Sequence, residues 1–150
     1  MELEKIIIYI LYKLKNIRPT IGRTRIVKLL YLSDLISSAR AGEKITKVKY
    51  QYYFYGPYSN DIIETLDTLV HKEVVRDYAF PTNSGIAHDY RLSDEMWEKV
   101  NKNPPEIDKK QKEIIDEVIK KYGAIRLDKL LDIVYSTRPM KEHAPGDALL

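Results

Sequence analysis

The chain has 150 residues, 44% of them apolar, enough for one domain with its own core and a small appendage. It contains no cysteine, which excludes disulfide frameworks and thiolate chemistry. With no signal-peptide pattern and no apolar run near the roughly 18 residues of a membrane span, a cytoplasmic protein is expected. The formal charge of +3 hides an asymmetry, because residues 1–60 carry 11 Lys or Arg against 4 Asp or Glu, whereas residues 61–150 carry 14 against 18.

Leu3, Ile6, Ile7, Ile10, Leu11 and Leu14 follow helical spacing and predict an amphipathic helix over 2–16 that Pro19 ends. Thr20 offers a cap for a second helix. That helix carries Ile26, Val27, Leu29, Leu30, Tyr31, Leu32 and Leu35, is apolar around so much of its circumference that it should be central, and ends near Ala41-Gly42. Residues 44–55 alternate imperfectly and predict a strand. Within Tyr50 to Ile62, five of the twelve tyrosines fall in nine positions, and Gly56-Pro57 reads as a sharp turn that sets a third helix against the second. Ser59 and Asn60 are helix-starting residues, and the third helix, built on Ile62, Ile63, Leu66, Leu69 and Val70, should reach Lys72.

Val74–Phe80 and His88–Leu92, separated by a loop over 81–85, predict a hairpin with a longer connection. Three helices followed by a hairpin are the order of a winged helix-turn-helix. A short helix near Met96–Val100, the linker candidate over 101–105, an Asp108-capped helix that Gly123 terminates, and one more on Leu127, Leu130, Leu131 and Val134 complete the chain. Pro139 and Pro145 make the tail irregular. The expected fold class is mainly α with a small β-hairpin. Residues 1–103 form a winged-helix-like core and residues 104–150 a helical C-terminal section packed on it.

Catalysis finds little support. His71, His88 and His143 stand apart, no HxxxH or HExxH cluster occurs, and Gly22 and Gly56 belong to no phosphate-binding pattern, so no catalytic residue, metal ligand or cofactor is assigned. His88 next to Asp89 is the one weak acid-base suggestion, set against an ordinary surface pair. Nucleic-acid binding is suggested by the order of elements and by the basic half. Yet the polar face of the third helix presents Asn60, Asp61, Glu64, Asp67 and Thr68, which would repel phosphates where such folds usually read DNA. Nucleic acid would therefore have to meet Arg18, Arg23, Arg25, Lys28, Arg40, Lys44, Lys47 and Lys49, a count that solvated helix faces give more readily.

A protein partner suits the tyrosines best, since Tyr and Arg concentrate interface energy. The cluster divides between core and surface: Tyr50, Tyr52, Phe54 and Tyr55 can pack under the helices, and Tyr53 and Tyr58 are the outward-facing members. The expected partner surface is Tyr53, Tyr58, Arg23, Arg25 and Lys28, meeting an acidic or amphipathic protein segment. Tyr55, Gly56, Pro57 and Ser59 form the structural motif beside it.

Lys28-Leu29-Leu30-Tyr31-Leu32-Ser33-Asp34, Gly42-Glu43-Lys44-Ile45-Thr46 and Tyr55-Gly56-Pro57-Tyr58-Ser59-Asn60-Asp61-Ile62 together resemble the Panacea domain, also called the SocA-like or phage-associated GepA-like domain. The YGPYS stretch is also similar to YwgA-type proteins, and Ser136-Thr137-Arg138-Pro139 resembles the family's Thr-x-x-Pro stretch, with Met140 where Trp is frequent. The resemblance implies a non-enzymatic antitoxin, or an adaptor that delivers a client to a protease. Its partner would then be a toxin or such a client, with a homodimer and a DNA-binding winged-helix regulator as alternatives.

Overall fold

The computed structural model describes residues 2–54 and 56–150, so Tyr55 of the expected motif lies outside the described residues. In chain order the elements are α1 (Glu2–Leu14), α2 (Arg23–Ala41), β1 (Tyr50–Tyr53), β2 (Gly56–Tyr58), α3 (Asn60–His71), β3 (Val75–Thr82), β4 (Gly85–Leu92), α4 (Asp94–Lys102), α5 (Lys109–Tyr122), α6 (Leu127–Tyr135), α7 (Arg138–Glu142) and β5 (Ala148–Leu149). The protein is mainly helical, with two small antiparallel sheets ordered β2-β1-β5 and β3-β4.

Helix α2 is the axis. Its residues 25–34 are all buried, in keeping with apolar residues around most of its circumference, and it packs against α5, α6, β2 and β4. Helix α1 buries Ile6 to Leu11 and Leu14 against α3, α4, α5 and β4. It stops at Leu14, before Pro19, because the chain turns through backbone bonds from Ile17 and Arg18 to the Leu14 carbonyl. The N-cap of α2 is Gly22 rather than Thr20, and the helix closes at Gly42 as expected.

The expected strand over 44–55 is shorter than the alternation suggested. Residues 44–49 form no ladder, and only Tyr50–Tyr53 pair. Gly56-Pro57 is not a turn between strand and helix; both residues lie in β2, which pairs antiparallel with β1 in the register Tyr52↔Pro57 and Tyr53↔Gly56. Pro57 is tolerated there because β2 is a sheet edge and needs no donor on its outer side. Gly56 holds φ +94°, a conformation side chains disfavour.

The β3-β4 hairpin is tighter than predicted. Pro81 and Thr82 extend β3, Thr82 pairs with Gly85, and the Thr82 hydroxyl accepts from the Ser84 N–H and donates to the Gly85 carbonyl, closing a two-residue turn. The tail is not irregular: α7 follows Thr137, and β5 adds a third strand on β1, burying Leu149 opposite Tyr50. Gly123 is the C-cap of α5 as expected, with a right-handed backbone, and an added Cβ there would lie 2.5 Å from the Ile119 carbonyl oxygen and 3.1 Å from Leu14 Cδ2.

Three substitutions test this local reading by urea denaturation. The Ser93 hydroxyl accepts from the Met96 N–H, so Ser93→Ala should cost about 1 kcal/mol. Ser59 holds the N-cap position of α3 but makes no cap bond, and its buried hydroxyl has no partner among the described residues, so Ser59→Ala should be neutral or stabilising. Gly56→Ala should cost about 1–2 kcal/mol through backbone strain alone, since the added methyl meets only ordinary contacts.

Candidate functional site

Four polar side chains recur every third residue along α2: Arg25, Lys28, Tyr31 and Asp34. Three residues advance a helix by about 300°, so each step falls back about 60° and the row winds half way round α2 over its length. Each member therefore faces a different part of the protein. The Arg25 guanidinium donates to the Gly123 carbonyl at 3.2 Å, and Lys28 Nζ donates to the Pro57 carbonyl at 2.6 Å. Tyr31 bonds Thr137 Oγ1 at 2.8 Å; because that hydroxyl already donates to the Val134 carbonyl, the tyrosine is the donor. Asp34, 0% exposed, accepts from the Thr46 N–H at 2.8 Å, the Thr46 hydroxyl at 2.5 Å and the Tyr50 hydroxyl at 2.7 Å. Tyr31 and Tyr50 also meet edge to face at 5.5 Å.

This row corrects part of the expected partner surface. Arg25 and Lys28 are each only 3% exposed, so they do not form an outer basic surface with the tyrosines. Their charges are held inside, and both groups feel it. Burial, then the neighbouring Arg18 charge, lowers the Arg25 pKa to about 10, and burial lowers that of Lys28 to about 8. Burial and then the Asp34 carboxyl keep the Tyr50 hydroxyl protonated well above its ordinary range.

The remaining members come together. Arg23, Lys28, Gly56, Tyr53 and Tyr58 line one cleft of about 240 Å³ between the first turns of α2 and the β1-β2 hairpin. Tyr53 is 51% exposed and stacks on half-buried Tyr58 with ring centroids 5.3 Å apart. Phe54 is the residue sequence reasoning did not place. The sequence left it, with Tyr50 and Tyr52, open between core and surface; it follows the end of β1 and stands 82% exposed, edge to face with Tyr53 at 5.1 Å. An aromatic run that outlasts its strand was the available signal. Tyr50, by contrast, is fully buried and Tyr52 half-buried.

The three histidines lie apart from one another, two of them with polar partners nearby in sequence or ladder. His88 Nδ1 lies 2.9 Å from Asp77 across the β3-β4 ladder, and the ring stacks on Tyr90; Asp89, its suggested acid-base partner, instead accepts from the Ile21 N–H and from Arg91. His143 Nδ1 lies 2.7 Å from the Pro139 carbonyl, and His71 is exposed at the end of α3. Among the described residues no three His, Asp or Glu side chains group as a metal-ligand set, and no helix is long and apolar enough to cross a membrane.

Lys28 yields a pH prediction. Below pH 8 both folded and unfolded chains hold its proton, and the fold bears the full cost of burying the charge. Between pH 8 and 10.5 only the unfolded chain keeps that proton, so stability rises with pH. Measured against Lys28→Met, wild-type stability should gain about 2 kcal/mol between pH 7 and 9.5. A difference that stays flat with pH would mean that Lys28 is solvated.

Comparison with known proteins places this geometry. No curated protein and no solved structure matches the chain. A family model described as "Antitoxin SocA-like, Panacea domain" matches residues 26–139, a span that takes in Lys28, Tyr31 and Asp34 of the row, the cleft residues from Val27 to Ile63, and Thr137. Covering more than two thirds of the sequence, that match establishes that the chain belongs to the SocA-like Panacea domain family.

Proposed function

We propose that this protein is a non-enzymatic interaction module of the antitoxin type, which binds a partner protein to neutralise it or to hand it to a protease. The observation that carries the reading is the exposed aromatic pair Tyr53 and Phe54, with half-buried Tyr58 stacked on Tyr53, beside Arg23 on a hairpin whose base is fixed by the buried α2 row. Solvated aromatics of this size gain most when a partner removes them from water, and Tyr and Arg are the residue types that dominate such contacts. Membership of an antitoxin family supports a protein partner of the toxin class. In this reading residues 1–103 are the winged-helix-like unit, in keeping with the order α1, α2, α3, β3, β4, and residues 104–150 are a helical extension that closes over α2.

The alternative of a DNA-binding regulator loses two of its cations, since Arg25 and Lys28 are buried, and a third, Arg23, lies 3.6 Å from Asp67. Asp61, Glu64 and Asp67 are all exposed on α3, the face that would approach phosphates.

Affinity purification with the wild-type chain and with a Tyr53→Ala, Phe54→Ala double variant tests the reading. Wild type should retain a stoichiometric protein partner, and the variant, with an unchanged unfolding midpoint, should bind it at least about tenfold more weakly. Equal retention of the partner would move the interface elsewhere. Sub-micromolar duplex DNA binding at about 150 mM salt, lost with Arg23→Ala, would favour the regulator instead.

A further inference from the structure

A second cleft, of about 360 Å³, lies on the far side of Arg23, between the start of α2 and the β3-β4 hairpin. Its walls combine two unusual features. One is positive charge without compensation: Arg18 and Arg25 both line it, and neither has a carboxylate within salt-bridge distance among the described residues. Each spends one bond on a backbone carbonyl, of Ala124 and Gly123 respectively, and Arg18 Nε is buried without a partner. Most other arginines nearby are neutralised, Arg23 by Asp67 and Arg91 by Asp89. The other feature is apolar: Ile86, Phe80 and Leu127 line the same cleft while 65%, 38% and 40% exposed.

An uncompensated pair of guanidiniums in a partly desolvated wall favours an anion. Exposed Ile, Phe and Leu side chains beside it favour an apolar neighbour on the same ligand. We propose that this cleft takes an acidic peptide segment of the partner protein, with a carboxylate side chain on half-buried Arg18, the buried Arg25 charge lying behind it, and an adjacent apolar side chain on Ile86 and Phe80. The occupant is a peptide rather than nucleic acid for two reasons. A polyphosphate backbone offers nothing to three exposed aliphatic and aromatic side chains, and the exposed α3 carboxylates, of which Asp67 reaches Arg23, flank the path a duplex would take. The proposal rests on the reading of the chain as a protein-binding module and gives that partner a chemistry. It also puts the interaction on a different pair of elements from the Tyr53-Phe54 tip.

The test is a titration of the isotope-labelled full chain with a synthetic dodecapeptide of alternating Glu and Leu, followed by amide chemical shifts and by fluorescence anisotropy at two salt concentrations. Controls are an alternating Lys-Leu peptide, an alternating Glu-Ser peptide and a duplex DNA. The Glu-Leu peptide should shift amides within 18–25 and 80–88, bind at least about tenfold more tightly than either control peptide, and weaken as salt rises. Arg18→Glu and Ile86→Ser should each reduce that binding about tenfold or more, while Lys99→Ala, on the exposed face of α4 and outside both clefts, leaves it unchanged. Absence of binding, equal binding of the Lys-Leu or Glu-Ser peptide, shifts confined to other surfaces, or tighter binding of DNA to the same residues would each overturn the proposal. Because this cleft is read by the amides of 18–25 and 80–88 and the aromatic tip by capture of the natural partner, failure here is separable from failure of the tip to hold that partner.

Discussion

The interaction on which most of this structure depends is the buried carboxyl of Asp34, which gathers three donors without a counter-cation. The segment from Gly42 to Lys49 has no helix or strand, yet it buries Ile45 and Val48. Such a segment cannot satisfy its own backbone groups by a ladder, so side chains must hold it. Asp34 binds the Thr46 amide and hydroxyl, the Ser37 hydroxyl binds the Glu43 carbonyl, and Lys44 Nζ binds the Val48 carbonyl. With Tyr50 also tied to Asp34, β1 starts at a fixed place against α2. Its partners β2 and β5 follow, which carries Pro57 to Lys28 and the tail strand to the opposite edge.

This division separates what holds the fold from what can meet a partner. The family-matched segments around residues 28–34, 42–46 and 56–62, together with Thr137, converge on one another inside the protein. Removing any one of those polar groups would leave its partner buried and unpaired, which costs more than the net gain of an ordinary hydrogen bond. Exposed apolar side chains occur at two hairpin tips among other places, and the clefts beside these tips, Tyr53-Phe54 and Phe80 to Ile86, share Arg23. A rigid interior with apolar tips suits a module that presents surface rather than one that closes around a substrate.

Much of the helical order was legible. The 3.6-residue periodicities located α1, α3, α5 and α6, and apolar residues around most of the circumference of α2 marked it as central, because helix burial leaves a local imprint. What failed depended on distant partners. Arg25 and Lys28 look like surface cations until the Gly123 and Pro57 carbonyls arrive from elsewhere in the chain. Phe54 stays open between core and surface until the strand is seen to end one residue earlier. Gly56-Pro57 reads as a turn because Pro is rare in strands, and only an edge position permits it. The tail strand was invisible, since two residues of β5 carry no period and owe their conformation to β1.

The central claim is that Asp34 fixes the connector and thereby the presenting hairpin, without touching a partner. Hydrogen exchange of the Thr46 amide and of the β1 amides, in wild type and in Asp34→Ala, measures it directly. The account predicts slow exchange at Thr46 in wild type, and in the variant a loss of protection across residues 44–53 with a global destabilisation of about 2–4 kcal/mol. Unchanged protection at Thr46 and β1 in Asp34→Ala, together with abolished partner binding, would show instead that Asp34 is a contact residue and that the row on α2 is not the framework.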